Sequence, residues 1–441
     1  MPDRAFEEWI MLCVSDYAAQ VRGKGFSAKD REKHLKHGIG IAPTSLMITA
    51  FGEIIKSPWG PRNEILMRPA LETETHIPSL NEGHVPERFI LADLTELNGD
   101  DWPGCPRIWL AQALKALKDE AGLQLFGAFE HEFHFEGQEQ RRGDAYLQDA
   151  MRLAGAFPGA LLKVLRDNGI EPELFHPEYG PSQFEVSCKA RHGVTIADDA
   201  VRLREIARGV ARAFGHRAVF TPLLAPNLVG NGTHIHFSLQ NLEGRPVSYD
   251  PQAPHHISKV AAPFVAGVLK YMPAITALTA PSAISYQRLQ PNRWSASYNN
   301  LGVLDREAGV RICPLIDLPG SNPQTAFNFE FRACDGTANP YLALGALVWS
   351  GLQGIRDKLA PPLPTTGDPE ALSEEEKAQH KLEHLPQSLE EAMSRLAGEP
   401  QVQDWMGPVL SEAYRVHKES ELAVLEGKTL EEQCRYYLES Y

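Results

Sequence analysis

Hydrophobic and polar residues alternate along Leu125–Gly137, which contains the run FEHEFHF at Phe129–Phe135. A two-residue period in an aromatic-rich run predicts a β-strand. Successive side chains of a strand point to opposite faces, so Glu130, Glu132 and His134 are predicted to share one face and the phenylalanines the other. Two neighbouring carboxylates repel each other unless a cation or a proton lies between them. The stretch therefore predicts either a metal-binding face or the solvated face of an edge strand.

Two later stretches alternate in the same way, Asn231–Leu239 (NGTHIHFSL) and Phe327–Asp335 (FNFEFRACD). Their polar faces are predicted to carry His234, His236 and Ser238 on the first strand, and Asn328, Glu330 and Arg332 on the second. A single histidine on a strand is usually a core or surface residue, and arginines usually pair with nearby acids. Three strands with apolar undersides and charged upper faces are harder to explain separately, and they predict one shared concave surface.

Apolar residues recur at helical spacing in longer stretches, which predict amphipathic helices. These are Pro106–Gly122, Asp144–Asn168 in two pieces, Asp198–His216 and Pro340–Leu359. Proline cannot continue a helix without losing a hydrogen bond, so the break in the second stretch is predicted at Pro158. Asn339 is a candidate N-cap of the last helix, with Pro340 at its first position. Terminal helices are predicted after the acidic run Glu374–Glu376.

The first part of the chain contains short apolar runs and many chain breakers. Ile10–Val14 predicts a strand, and Ile65–Met67 is a further short apolar run. The sequence RGKG within Val21–Gly25 predicts a turn, and Gly38–Pro43 and Ser57–Pro61 predict loops. This part of the chain therefore favours a small mixed domain over a helical one.

The composition fits a globular protein of 441 residues with 43% apolar and 23% charged residues, which we expect to form two unequal domains, 1–105 and 106–441. A net charge of -14 argues against nucleic acid or an anionic membrane surface as a partner. The six cysteines have no CxxC spacing, which predicts reduced thiols in a cytoplasmic protein. No run approaches 18 consecutive apolar residues, so no membrane span is predicted.

Acids and arginines recur in the stretches that surround these strands. Glu173, Glu178 and Glu185 lie around a Gly-Pro turn, and Arg288–Arg311 contains RLQPNRW and DREAGVR. Carboxylates coordinate hard cations such as Mg2+ or Mn2+, with histidine as an occasional ligand. Arginines bind phosphates and carboxylates through two hydrogen bonds. Together these groups predict phosphoryl-transfer chemistry.

At this point the chain resembles the glutamine synthetase family over most of residues 120–350. The motifs that carry the resemblance are FEHEF, HPEYGPSQFE, GNGTHIHFSL, the pair RLQP and DREAGVRICP, and EFRACDGTANPYLAL. The resemblance implies an α+β fold, with a small N-terminal beta-grasp domain and a large catalytic domain containing an antiparallel sheet. It also implies a homo-oligomer of stacked rings, a dodecamer, with active sites between subunits. Family members activate glutamate with ATP as an acyl phosphate and then trap it with ammonia or an amine.

The resemblance also implies roles for individual residues. Two divalent ions, Mg2+ or Mn2+, would be bound by Glu132, Glu178 and Glu185 and by Glu130, His234 and Glu330. ATP would contact Glu173, His236, Ser238 and Arg311. The amino acid substrate would be held by Gly230, Arg288 and Arg332. Arg306 would be catalytic, because it stabilises the charge on the transferring phosphoryl group.

Several positions depart from the family pattern. Ammonia-using members have a glutamate where this chain has Trp294, and an aspartate near the position of Asn63. Desolvating ammonium without these charges is costly, whereas a large apolar ring suits the body of an organic amine. Val229 replaces the asparagine before Gly230, and Asn328 replaces an arginine expected near the phosphates.

These observations predict an ATP-dependent ligase that joins glutamate to an organic primary amine, with Trp294 as part of the amine pocket. One alternative is ordinary glutamine synthetase, in which Trp294 only packs and another acid binds ammonium. A second is a ring-forming scaffold without activity, although all six metal-ligand positions are filled. A third is a ligase that uses an acid other than glutamate, which the change at Val229 leaves open. No acidic cluster for a second ammonium group is evident, which disfavours a polyamine.

Overall fold

The computed structural model describes residues 7–61, 63–136, 143–316 and 318–441, and it has a mixed fold of two sheets and many helices. The strands are β1 (Trp9–Ser15), β2 (Val21–Ser27), β3 (Ile39–Ile41), β4 (Ile65–Pro69), β5 (Thr75–Ile77), β6 (Glu87–Thr95), β7 (Leu123–Glu136), β8 (Pro172–Pro177), β9 (Gln183–Cys188), β10 (Arg191–His192), β11 (Arg217–Val219), β12 (Thr233–Asn241), β13 (Leu301–Val303), β14 (Val310–Ile312) and β15 (Phe329–Phe331). The helices are α1 (Arg31–His37), α2 (Pro106–Ala121), α3 (Gln148–Leu153), α4 (Phe157–Asp167), α5 (Thr195–Ala213), α6 (Ala261–Thr279), α7 (Ser285–Arg288), α8 (Pro323–Ala326), α9 (Pro340–Arg356), α10 (Glu374–His380), α11 (Leu389–Gly398), α12 (Pro400–Leu425) and α13 (Leu430–Ser440).

The N-terminal sheet is accompanied by helix α1, which fits the small mixed domain predicted for this part of the chain. Its strand order is β2-β1-β6-β4-β3, with β5 on β6. Strands β1 and β6 run parallel, and the other neighbours run antiparallel. The small N-terminal sheet domain of the predicted α+β fold is thereby confirmed.

The turn predicted at Val21–Gly25 is wrong, because these residues belong to strand β2. The chain reverses earlier, where the Asp16 carboxylate accepts hydrogen bonds from the backbone N–H groups of Ala18 and Gln20. Gly23 serves close packing instead of a turn, since a Cβ there would lie 1.9 Å from the carbonyl oxygen of Leu12. Glycine can therefore belong to a strand where two backbones approach closely.

Two further local predictions need correction. The loop predicted at Gly38–Pro43 contains strand β3, which pairs with β4. The helix break predicted at Pro158 lies earlier, between α3 and α4, and Pro158 is in the first turn of α4. Proline is tolerated there because the first N–H groups of a helix have no partner within the helix.

Strand β7 is central in the second sheet, whose order is β13-β14-β15-β12-β7-β9-β8. Strands β10 and β11 also pair with β7. The pairs are antiparallel except for β13 with β14. Strand β7 confirms the alternation predicted for Leu125–Gly137 up to Glu136, and Gly137 lies outside the described residues.

Long helices cover the underside of this sheet. Helix α9 begins as predicted, because the Asn339 side chain accepts hydrogen bonds from the N–H groups of Tyr341 and Leu342 and Pro340 is in the first turn.

Helix α6 is long and apolar enough to cross a membrane, but 83% of its apolar window is buried within the fold. It packs against α9, which accounts for its apolar composition as a core helix.

The two sheets share one hydrophobic core, which extends from Ile10 to Val416. Arg107 on α2 adds a polar connection, since its guanidinium pairs with Asp93 at 2.8 Å, with Glu72 at 2.9 Å and with Asp198 at 2.9 Å. The boundary between domains 1–105 and 106–441 stays a prediction, although α2 begins at Pro106.

Candidate active site

A row of charged side chains crosses one face of the second sheet. Side chains at directly opposite positions of paired strands share a face. The register pairs Glu132 with Glu185, Glu130 with His234, and Glu330 with both His236 and Arg311. Strand pairing therefore brings together residues that are far apart in the sequence.

Donor atoms on this face lie close enough to share a metal ion. The groups whose ligand atoms all lie within 4.8 Å of one another are Glu130, Glu185 and His234; Glu130, His236 and Glu330; and His176, Glu178 and Glu185. His234 Nδ1 is 3.1 Å from Glu130 and 3.4 Å from Glu330. Carboxylate oxygens with imidazole nitrogens suit hard divalent cations, so the residues present fit the predicted ions.

Glu132 lies beside these groups and is held by neighbouring amides. Its Oε2 accepts a hydrogen bond from the backbone N–H of Gly232 at 2.8 Å and another from the Gln183 side chain at 3.1 Å. A Cβ at Gly232 would lie 2.8 Å from His234 and 3.1 Å from Glu132. The side chains at all six predicted metal-ligand positions therefore lie close together.

Two residues at this surface were missed by the sequence reasoning, His176 and Tyr146. His176 Nε2 is 3.1 Å from Glu178 and 3.3 Å from Glu185. It lies opposite Glu185 in the β8–β9 register, so correct strand pairing would have found it. The Tyr146 hydroxyl donates to Glu178, with distances of 3.1 and 3.2 Å to the two oxygens. Tyr146 lies within the stretch predicted as helical, Asp144–Asn168, but helix α3 begins only at Gln148, so the prediction is wrong at Tyr146 and gave it no role.

Burial raises the pKa of two of the carboxyl groups. Burial and then repulsion from Glu130, Glu132 and Glu178 raise the pKa of Glu185 well above its usual range. Burial likewise raises the pKa of Glu132, against the opposing effect of His234 and Arg288. A bound cation relieves such repulsion, so these shifts belong to a site that favours positive charge.

The neighbouring carboxyl groups show the opposite shift. Burial opposes ionisation of Glu130, but hydrogen bonds from His234 and His236 hold its pKa well below the usual range. Burial also opposes ionisation of Glu330, yet the charges of His234, Arg332 and His236 lower its pKa to about 2. These two acids are therefore ionised at neutral pH.

Two buried arginines converge on Glu330. Arg311 Nη1 is 2.9 Å from one carboxylate oxygen, and Arg332 Nη1 contacts the other. The Nε atoms of both arginines are buried without a hydrogen-bond partner among the described residues. These guanidinium groups therefore retain donors for an anion at the site.

Arg288 and Gly230 lie side by side, next to His234 of the cluster. Arg288 is buried, donates to the carbonyl oxygen of Cys334 at 3.1 Å and approaches His234 Nε2 at 3.4 Å. A Cβ at Gly230 would lie 3.1 Å from Arg288 and 2.5 Å from the carbonyl oxygen of Pro222. Glycine is therefore required here by close packing.

The four residues predicted to contact ATP lie on strands of the second sheet. His236 and Ser238 continue the polar face of β12, and His236 Nδ1 is 3.0 Å from Asn328. His236 also belongs to a potential metal-binding group, so its position allows contact with an ion as well as with a nucleotide. Glu173 is exposed near the start of β8, apart from the acidic cluster.

Arg306 and Trp294 lie at the solvent-exposed rim. Burial and Glu178 raise the pKa of Tyr146 to about 12, and Arg306 is near enough to oppose this shift. Trp294 is 68% exposed. Its carbonyl oxygen accepts a hydrogen bond from Arg332 at 3.0 Å, and its N–H donates to Glu307 at 3.1 Å. The backbone of Trp294 is thus connected to Glu330 through Arg332.

Comparison with known proteins gives a consistent result. Residues 103–437 match the family described as glutamine synthetase, catalytic domain. The chain is 33% identical to a gamma-glutamylpolyamine synthetase of Streptomyces coelicolor over 432 residues, 95% of this chain and 90% of that protein. It is also 33% identical to a glutamine synthetase of Pyrococcus furiosus over 411 residues, 91% of this chain and 87% of that protein.

A solved structure described as a novel glutamine synthase homolog superposes with a TM-score of 0.92. It is 36% identical in sequence, and the match covers 100% of both chains. The family match covers residues 103–437, and the superposition covers the whole chain, including both sheets and the helices around the second sheet.

Proposed function

Because this chain belongs to the glutamine synthetase family of ATP-dependent carbon–nitrogen ligases, we propose that it forms a gamma-glutamyl amide from glutamate and an organic primary amine. The supporting observation is the indole of Trp294, which is 68% exposed at the rim of an acidic site whose donors suit divalent cations. The reaction would proceed through gamma-glutamyl phosphate, which the amine then attacks. The similarity to a gamma-glutamylpolyamine synthetase supports the same branch.

The metal ligands we propose are Glu132, Glu178 and Glu185 for one ion, and Glu130, His234 and Glu330 for the other. When bound, divalent ions neutralise phosphate charge and align the reacting groups. The carboxylates that would bind the ions are buried beside each other. Glu132 accepts hydrogen bonds from the Gly232 N–H and the Gln183 amide, which hold it in place. Both ions are assigned as Mg2+ or Mn2+ on the basis of their oxygen-rich donor sets.

Substrate positioning is assigned to the arginines of the site. Arg306 is proposed to stabilise the transferring phosphoryl group, and its exposed position at the rim lets it approach a substrate. Gly230, Arg288 and Arg332 are proposed to bind the amino acid. Glu173, His236, Ser238 and Arg311 are proposed to contact ATP, on one continuous face of the sheet for the last three.

The test is product formation across a panel of nucleophiles. The protein is incubated with glutamate, ATP and Mg2+, together with ammonium, alkylamines, arylalkylamines or polyamines, and ADP and the amide are measured. We expect higher kcat/KM with an organic amine than with ammonium. Glu185→Gln is the matched inactive control because it removes one metal ligand. Turnover with ammonium alone, and with no organic amine, contradicts the proposal.

A second candidate function is glutamine synthetase itself. One observation favours it: Glu307 places a carboxylate against the backbone of Trp294, close to where ammonia-using members have a glutamate. The similarity to the Pyrococcus furiosus glutamine synthetase is also compatible with it. The same panel separates the two functions, because glutamine synthetase predicts ammonium as the preferred nucleophile.

We also propose a cytoplasmic homo-oligomer of stacked rings, with active sites between subunits. Six free cysteines support a reducing compartment. Trp294 and Tyr179, which are 68% and 70% exposed beside the acidic cluster, provide apolar surface at the site that a second subunit could cover. Native mass spectrometry tests the assembly, and a monomer with full activity would contradict it.

A further inference from the structure

The turn after α7 that carries the indole has an unusual backbone. We call residues 291–295 the indole turn. Two of its non-glycine residues have left-handed backbone angles, Asn292 with φ of 60° and Trp294 with φ of 53°. Side chains make this conformation unfavourable, so it persists where surrounding contacts fix it. Asn292, Arg293 and Trp294 are all exposed, and burial of their side chains therefore does not supply those contacts.

The carboxylate of Glu307 supplies two of them. Its Oε2 accepts a hydrogen bond from the N–H of Asn292 at 3.1 Å, and its Oε1 accepts one from the N–H of Trp294 at 3.1 Å. Each of the two residues with a left-handed backbone therefore donates to a different oxygen of the Glu307 carboxylate. Hydrogen bonds to an ionised acceptor are stronger than those between neutral groups.

The other side of the indole turn is held by an arginine of the candidate active site. Arg332 Nη2 donates to the carbonyl oxygen of Trp294 at 3.0 Å, while its Nη1 pairs with Glu330. The loop that carries Glu307 is braced in turn, because the Glu307 N–H donates to Asp305 Oδ1 at 2.9 Å. Trp294 is thus fixed at its N–H by Glu307 and at its carbonyl by Arg332.

We propose that Glu307 is a positioning residue for nucleophile selection, which holds the indole turn so that Trp294 borders the amine site. The inference rests on the proposed amine-ligase function and deepens it. Because both Glu307 oxygens are engaged by backbone N–H groups, this carboxylate acts through the turn and not as the acid that binds ammonium. The chain therefore uses an acid that is hydrogen-bonded to the Trp294 backbone to orient an apolar ring.

The variant Glu307→Gln tests this role. Its amide keeps the size of the side chain but can accept only one of the two hydrogen bonds. Losing one charge-assisted bond predicts an increase of about tenfold in KM for the amine. KM for glutamate and ATP, and the amine-independent positional isotope exchange in ATP, should stay unchanged. Glu243→Gln removes the same charge from an exposed turn and serves as the control.

A second substitution distinguishes positioning from direct binding. Glycine adopts left-handed backbone angles without the cost that asparagine has. Asn292→Gly in the Glu307→Gln background should therefore restore much of the lost amine affinity. If Glu307 bound the nucleophile directly, the glycine would not restore it. Absence of restoration, or an unchanged KM in Glu307→Gln alone, overturns the proposal.

Limited proteolysis provides a readout that does not depend on activity. Trypsin cleaves after arginine, and Arg293 is exposed within the indole turn. Cleavage between Arg293 and Trp294 should be faster in Glu307→Gln and return towards the wild-type rate in the double variant. The proposed function is tested separately, by product formation of the wild-type protein across the panel of amines. If only ammonium is used, the function fails, while faster cleavage in Glu307→Gln with restoration by Asn292→Gly still supports the positioning role.

Discussion

At the scale of single residues, the active site depends on charge that is buried before any substrate binds. Glu185 and Glu132 have raised pKa values because of burial and, for Glu185, the neighbouring carboxylates. Glu330 has a pKa lowered to about 2 against its burial, because imidazole and guanidinium groups surround it. The site therefore contains one acidic side that needs cations and one arginine-rich side that suits anions, as phosphoryl transfer requires.

Replacing Arg306 by alanine tests the catalytic role we propose for it. Arginines that stabilise transferring phosphoryl groups contribute about 10³-fold or more to kcat, so we expect a loss of that order. Because Arg306 is exposed, the melting temperature should stay within the error of the wild type. Single-turnover ADP formation with glutamate is the measurement. Arg306→Lys is the matched control, which keeps the charge but not the planar fork.

An Arg306→Ala variant with normal ADP formation would remove this residue from the catalytic assignment. A slow variant with an equally lowered melting temperature would instead indicate a structural role.

Replacing Trp294 by glutamate tests the choice of nucleophile. A carboxylate at this position lowers the cost of desolvating ammonium and removes an apolar surface for the amine. We expect kcat/KM for ammonium to rise and that for the preferred amine to fall, each by about tenfold. Trp294→Phe keeps an apolar ring and should retain the preference for the amine. An unchanged ratio of the two kcat/KM values in Trp294→Glu would show that the indole does not select the nucleophile.

Individual site residues could be predicted from the sequence where strand alternation marked them. Glu130, Glu132, His234 and Glu330 all lie on strands whose period of two was visible. His176 and Tyr146 were missed because their contacts with Glu178 depend on the β8–β9 register and on an irregular segment. Glu307 had no signal at all, since its role is to accept hydrogen bonds from a backbone whose shape the sequence does not show.

At the scale of secondary structure, long amphipathic helices were the most predictable elements. Helices α2, α5 and α9 lie where the apolar spacing predicts them, with the N-cap of α9 at Asn339. Short strands were less predictable, because they contain glycines such as Gly23, which lies where two backbones approach too closely for a Cβ, and Gly40, where a Cβ would meet the Glu64 side chain. Local composition favours a turn at such positions, and only long-range pairing reveals a strand.

Helix α12 contains a buried histidine that links stability to pH. His417 Nε2 is 3.2 Å from the carbonyl oxygen of Ile48, and the charged groups near it are Lys418 and Glu421 on its own helix and Arg22 from β2. Burial, and then Lys418, lower the pKa of His417 well below its usual range. A group with a lowered pKa in the folded state stabilises the fold above its unfolded pKa, and this contribution is lost as the pH falls.

We therefore expect His417→Gln to lessen the loss of stability on acidification. The amide can still donate to the Ile48 carbonyl but does not titrate. Between pH 7.5 and pH 5.5, the wild type should lose about 1.4 kcal/mol more than the variant, since the unfolded histidine titrates near 6.5. Urea unfolding midpoints at the two pH values measure this difference. Equal pH dependence in both proteins would mean that His417 is not the titrating group.

At the scale of the whole molecule, residues of both sheets contribute to one large hydrophobic cluster. The second sheet supplies the charged face. Arg107 on α2 forms ion pairs with Glu72, with Asp93 on β6 and with Asp198 on α5, and these pairs connect the N-terminal sheet to helices α2 and α5. The overall fold was predictable because several motifs occur in the family's order. The nucleophile was not, because relatives of similar identity include both a gamma-glutamylpolyamine synthetase and a glutamine synthetase.

Divalent cations should stabilise the whole protein, because they relieve repulsion among buried carboxylates. A ligand that binds only the folded state at 100 times its Kd contributes about 2.7 kcal/mol. We expect a higher melting temperature for chelator-treated protein after addition of Mg2+. Glu185→Gln should show a much smaller increase because it lacks one ligand. Equal increases in both proteins would indicate that the ions bind elsewhere.

The central claim is that six side chains form two adjacent cation sites below a nucleotide. The most direct test is a crystal structure with Mn2+ and a non-hydrolysable ATP analogue, with the ions located by anomalous scattering. We expect two anomalous peaks, one contacting Glu132, Glu178 and Glu185, and the other contacting Glu130, His234 and Glu330. Absence of peaks at this face, or peaks ligated by other residues, would contradict it.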